Sequence, residues 1–155
     1  MSFVEAIAEK RDGGILTREQ VTAFVRGASD QSLPLEQLSA MLMAICLRGM
    51  NADETTWLTE EMLHSGEVWD LAGDCPEVVD KHSTGGIGDT VSLILAPLLA
   101  AVGVPVAMMA GRGLGHSQGT LDKLDAIPGW DSTRDRAETL ALVDACGAAI
   151  IAQTE

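Results

Sequence analysis

Basic residues are scarce in this chain: Lys and Arg total 10 against 23 Asp and Glu, a net charge of −13 over 155 residues. So acidic a surface repels DNA, RNA and anionic lipid, and excludes nucleic acid or a membrane as the expected partner. It also repels phosphate at long range, so an anion site has to be built locally from backbone N–H groups and a few placed cations. The plainer use of the acidity is solubility. Aromatics make up only 3%, with no Tyr, so Leu, Val, Ile, Ala and Met must fill the core. Cysteines number three, Cys46, Cys75 and Cys146, with no CxxC spacing. That excludes a disulfide framework or zinc site and leaves reduced thiols as the expectation. Cys46 and Cys146 have apolar neighbours and are expected as small core residues. A long uninterrupted apolar run is also missing. The stretch from Val91 to Ala110 is broken by Pro97, Gly103 and Pro105, which argues against a membrane span. Met1 to Arg11 shows no basic segment followed by an apolar one, so no signal peptide is expected and a cytoplasmic location is.

What is present is a 46% hydrophobic chain, long enough for one cored domain or two small lobes. Its first 65 residues read as helices. Ser2-Phe3-Val4-Glu5 and Thr17-Arg18-Glu19-Gln20 are capping boxes, and Gly13-Gly14 separates the helices they start. Ser32 to Pro34 opens a third helix, with Leu35, Leu38, Met41, Leu42 and Ile45 at helical spacing and Gly49 at its end. Asn51-Ala52-Asp53-Glu54 starts a fourth, running to about Ser65. After a linker at Trp69 to Pro76 the pattern alternates. Val78-Val79 is a short strand, Thr90 to Val102 a helix, Val106 to Met109 a strand and Leu121 to Ala126 a helix. Ser132 is expected to cap a further helix to Cys146, and Ala148 to Ala152 reads as a strand. Alternating strands and helices imply a parallel sheet. The fold class expected is α + α/β: a small helical lobe over 1–68, the linker over 69–76, and the start of a parallel α/β lobe over 77–155. Three strands would form a small, poorly covered sheet, which suggests a piece of something larger or a chain that needs a partner.

Two glycine-rich loops carry the chemistry. The first is Asp80-Lys81-His82-Ser83-Thr84-Gly85-Gly86-Ile87-Gly88-Asp89. It leaves a strand and enters a helix, so its glycines let backbone N–H groups approach an anion beside the helix N-terminus. Lys81 adds a charge, Ser83 and Thr84 add hydroxyls, and Ser92 lies one turn into the helix. It is neither a Walker A loop nor a dinucleotide fingerprint. A plain tight turn is the alternative. The second loop runs from Gly111 to Gly119 and also follows a strand. Both loops are expected at the carboxyl ends of parallel strands, where open α/β sheets bind ligands. Ser117 and Thr120 are candidate donors there. Arg112 is expected to brace the loop on a carboxylate such as Asp89 or Asp122, with anion binding as the alternative, and His116 to support loop shape, with a direct ligand role as the alternative. His64, at a helix end, suits a C-terminal dipole partner.

Lys81 to Asp89, followed by Gly111-Arg112-Gly113-Leu114-Gly115-His116 and Gly119-Thr120-Leu121-Asp122-Lys123-Leu124, resembles the thymidine and pyrimidine-nucleoside phosphorylase family. The similarity runs from Ala6 to Gln153. The resemblance implies phosphorolysis of a pyrimidine nucleoside to free base and pentose 1-phosphate, with phosphate as co-substrate and no other required cofactor. It implies phosphate ligands at Lys81, Ser83, Ser92 and Thr120. It implies a catalytic role for His82 near the glycosidic bond, for which a backbone-bonding loop histidine is the alternative. Thr84, Gly85, Gly86, Asp89, Arg112 and His116 become loop support. Gly88 and Thr90 match positions that bind potassium in some members. A homodimer through the helical domain is implied, for which the apolar positions Leu38, Leu42 and Ile45 are candidates. A non-catalytic phosphate-binding or dimerising relative, or an anthranilate phosphoribosyltransferase-like protein, are the other readings.

Three positions depart from that family. Ala110 stands where a phosphate-holding serine is usual, a loss of roughly 1.5–3 kcal/mol or one to two orders of magnitude in affinity. Gln118 replaces a glycine and is expected to strain the loop if the position needs positive φ. Asp125 replaces a glutamate. The arginine, serine and lysine that grip the pyrimidine have no counterpart in these residues, so little or no turnover is expected of the chain alone.

Overall fold

The computed structural model describes residues 2–85, 89–113 and 116–153. The chain divides into two compact units, Met1–Val68 and Trp69–Glu155. The first is helical: α1 (Phe3–Arg11), α2 (Arg18–Ser29), α3 (Leu35–Arg48) and α4 (Ala52–Leu63). Three of these four begin at complete capping boxes, at Ser2/Glu5, Thr17/Gln20 and Asn51/Glu54. Each box satisfies orphan N–H groups of its first turn and contributes about 1 kcal/mol. Ala6, Leu16, Val21, Phe24 and Met41 form the core, with Phe3, Leu38, Ile45 and Trp57 packed on it.

One polar group is sealed into that unit. Glu54 Oε1 accepts from Lys10 Nζ at 2.6 Å and from the Leu16 N–H at 2.8 Å, while Oε2 accepts from the Asn51 N–H at 2.9 Å. Lys10 is 3% exposed and Glu54 1%. Burial pushes the Glu54 pKa up, but the bonds from Lys10, Asn51 and Leu16 outweigh it and hold the carboxyl below its usual range.

The second unit contains α5 (Ser92–Ala101), β1 (Val106–Met109), α6 (Thr120–Leu124), α7 (Arg136–Cys146) and β2 (Ala148–Ile151). β1 and β2 pair in parallel, Val106 opposite Ala148 and Met109 opposite Ile151. On the other side of β1, Val79 forms a single parallel bridge with Val106. The third strand expected at Val78-Val79 is therefore reduced to one bridging residue. Side chains alternate across the sheet as strand geometry requires. Ala107, Ala149 and Ile151 pack with Val143 of α7, whereas Val106 and Met108 pack with Ala96 of α5. The 69–76 stretch, expected as a linker, packs Trp69, Leu71 and Cys75 onto the first of these clusters.

Other expectations need correction. Ser132 does not cap α7. Asp135 does, accepting from the Glu138 N–H at 2.8 Å, with Glu138 completing the box. Ser132 is buried, and its carbonyl accepts from the Ala152 N–H. Cys46 and Cys146 are exposed rather than in the core. Of the three apolar positions on α3 offered as a dimer face, Leu38 and Ile45 turn to the core and only Leu42 is exposed. Among the described residues no helix is long and apolar enough to cross a membrane.

Candidate anion site

Val79, β1 and β2 run parallel, so the segments leaving their carboxyl ends emerge together. They are the first glycine loop, the second glycine loop, and the residues after Ile151. Lys81, His82, Ser83, Thr84 and Gly85 from the first, Ala110 to Gly113 and Ser117 to Thr120 from the second, and Gln153 line one cleft of about 440 Å³. Both loops thus contribute to one site. Gly86 and Gly88, and with them part of the first loop, lie outside the described residues. Thr90, the other position matched to potassium, is exposed one residue past Asp89, and His116 is exposed as well.

Asp89 organises the cleft wall. It is 6% exposed. Oδ1 accepts from the Ser92 N–H at 3.1 Å and from Lys81 Nζ at 3.3 Å. Oδ2 accepts from Thr120 Oγ1 at 2.5 Å and from Ser92 Oγ. Lys81 Nζ also donates to Ser92 Oγ at 2.7 Å. Three of the four side chains expected to hold phosphate are thus gathered on one carboxylate, although Thr120 lies 31 residues from it in sequence. Burial alone pushes the Asp89 pKa up, but bonds from Ser92, Thr120 and Lys81 outweigh it and hold it far below the usual carboxylate range. The group is ionised at neutral pH and accepts only. Ser83 lines the same cleft, its Oγ accepting from the Gly85 N–H at 3.3 Å. Gly85 holds φ of +75°, a left-handed conformation suited to glycine.

The second loop is closed by Asp122. Its Oδ2 accepts from the Gly113 N–H at 2.6 Å and the Gly119 N–H at 2.9 Å. These bonds hold its pKa below the ordinary value. Closure brings the two limbs so near that a Cβ on Gly113 would lie 2.0 Å from the Ser117 carbonyl oxygen, and one on Gly119 2.5 Å from that of Gly111. Arg112 does brace the loop, on Asp122 at 3.2 Å and Asp125 at 2.6 Å; Asp89 is not its partner. Asp125 is therefore one of the two acids that brace Arg112. Gln118 does not strain the loop: among the described non-glycine residues only Gln31 has positive φ. Ala110 offers the cleft a methyl group, and its N–H is already spent on the Ile151 carbonyl at 2.8 Å.

Sequence reasoning missed Lys123. Its Nζ donates to the Asp89 carbonyl and, at 3.2 Å, to the Gln118 carbonyl, tying the two loops together. A lysine on a short helical turn carries no sequence signal of that kind.

Comparison with known proteins agrees with this division. Residues 4–66 match the glycosyl transferase family helical bundle domain, and residues 75–155 the glycosyl transferase family a/b domain. The pyrimidine-nucleoside phosphorylase of Geobacillus stearothermophilus is 47% identical over 154 residues, 99% of this chain and 36% of the relative. That of Staphylococcus epidermidis is 46% identical over the same shares. The chain thus spans about a third of the length of the relatives it matches. The crystal structure of anthranilate phosphoribosyltransferase from Thermus thermophilus superposes with a TM-score of 0.64 at 20% identity, over 95% of this chain and 45% of that one, a likeness of fold. With both of its domain types matched in order along the chain, this protein belongs to the glycosyl transferase family.

Proposed function

We propose that this chain carries the phosphate-binding half of a pyrimidine-nucleoside phosphorylase. The observation that carries the reading is the convergence of Lys81, Ser83, Ser92 and Thr120 on one cleft at the strand ends. Relatives at 46–47% identity bear that enzyme's name. In the reaction a phosphate oxygen attacks C1′ of the sugar while the glycosidic bond breaks. Negative charge grows on the departing base and positive charge on the sugar. Holding phosphate in line supplies much of the rate. In this reading Lys81 and Ser83 orient it, and His82 gives a proton to the leaving base; what supports that role is that His82 is exposed and lines the cleft.

The same reading pairs two copies through the helical unit. Leu35, Leu42, Met43 and Leu47 stand 57–76% exposed on α3, an apolar stripe suited to a second copy. Light scattering of the chain and of Leu42→Glu tests this: a dimer that becomes a monomer supports it, and a wild-type monomer overturns it.

Calorimetric titration with inorganic phosphate tests the site. Binding at millimolar phosphate or below supports the reading, and no heat in that range overturns it. Thymidine and phosphate incubated with the chain are expected to release little or no thymine, since the base-gripping positions implied by the resemblance are not among its residues.

A further inference from the structure

We propose that Asp89 makes the cleft select an oxyanion that brings its own proton, hydrogen phosphate over sulfate, by drawing the hydroxyl protons of Ser92 and Thr120 away from the ligand. The proposal rests on the reading of the cleft as a phosphate site.

A hydroxyl has one proton to donate and two lone pairs. Ser92 Oγ and Thr120 Oγ1 both direct theirs to Asp89 Oδ2. An ionised carboxylate has no proton of its own, so the direction of these two bonds is fixed. Ser92 Oγ further accepts from Lys81 Nζ at 2.7 Å, which leaves it one lone pair; Thr120 Oγ1 keeps two. Ser92 is 0% and Thr120 5% exposed, and both line the cleft. At Thr120, which keeps some exposure, this wall therefore shows an incoming anion lone pairs rather than a donor.

The donors lie on the other side. Lys81 spends two of its three protons on Asp89 and Ser92, and the third is left for a ligand. Ser83 Oγ accepts from Gly85, and among the described residues its own proton has no acceptor. An anion in the cleft meets donors from Lys81 and Ser83 and an acceptor from Thr120. Sulfate, which only accepts, sets lone pair against lone pair at Thr120 or must break the Asp89 bonds. Hydrogen phosphate has the same charge and nearly the same shape, but its P–O–H donates to Thr120. Asp89 acts here as a positioning residue that fixes the polarity of two hydroxyls.

The test is calorimetry of the 155-residue chain with inorganic phosphate and, separately, sulfate near neutral pH. One unmatched buried polar contact corresponds to about a tenfold loss in affinity, so wild type should hold phosphate about tenfold tighter. In Asp89→Asn the amide offers a proton where the carboxylate took one, which frees a hydroxyl proton for the ligand, and the ratio should fall to about threefold or less. Thr120→Val, checked for folding by circular dichroism, removes the acceptor itself and should narrow the ratio similarly even if Asp89→Asn does not fold. Equal affinities in wild type, or a ratio unchanged in the folded variants, overturn the inference while the phosphate site stands. If neither anion binds, the phosphate reading falls and the inference with it.

Discussion

Glu54 and Asp89 are each a buried carboxylate paired with a lysine, one in each unit. Glu54 is enclosed: Lys10, Leu16 and Asn51 donate to its two oxygens, and its side chain is 1% exposed. Asp89 has a cleft on one side, and the groups bonded to it, Lys81, Ser92 and Thr120, line that cleft. The same chemistry is thus a staple in the helical unit and an organiser of cleft-lining polar groups in the α/β unit. What separates them is free space next to the bonded groups, not the pKa, which lies below the ordinary value in both.

The comparison breaks most visibly at Glu54. Glu54→Ala leaves the Lys10 ammonium buried without a partner, and urea unfolding should show a loss of about 3–5 kcal/mol. The pH dependence has a definite sign. A depressed folded pKa gives stability that is complete above the unfolded value and is lost as pH falls through the folded one. Wild type and Glu54→Gln should therefore differ most near neutrality, and the gap should narrow as pH drops below about 4.5; a constant gap would show that Glu54 ionisation is not what stabilises. At Lys81 the readout moves from stability to binding. Lys81→Ala should weaken phosphate about 10- to 100-fold while changing stability by less than about 1 kcal/mol, because the side chain is 25% exposed.

Two smaller changes sharpen the picture of the cleft. Gly119→Ala forces a Cβ against the Gly111 carbonyl and should cost about 1–3 kcal/mol of loop strain, seen as weaker phosphate binding and a lower melting temperature. Ala110→Ser places a hydroxyl on the cleft wall and should tighten phosphate by about tenfold; no gain would mean that this wall position does not reach the ligand.

Much of the fold was legible because local signals agreed with it. The boxes at Ser2, Thr17 and Asn51 fixed three helix starts, and the short apolar runs before and after α7 gave both strands. Where local signals competed, the wrong one was chosen. Ser132 and Asp135 are both capping types, and Glu138, three residues after Asp135, decides between them. The face that α3 turns to the core was not legible, because apolar residues surround that helix; hence the misplacing of Cys46 and Leu38. Both loops were readable from their glycines and hydroxyls. The role of Asp89 was not, because it depends on Thr120 arriving from another strand end.

The central claim is that two loops of the α/β unit form one phosphate site around Asp89. Amide chemical shifts recorded during an inorganic phosphate titration test it most directly. The account predicts saturable shifts clustered at Lys81, Ser83, Gly85, Ser92, Gly113 and Thr120, with α1 to α4 unmoved. Shifts confined to one loop, scattered over the surface or concentrated in the helical unit would contradict it.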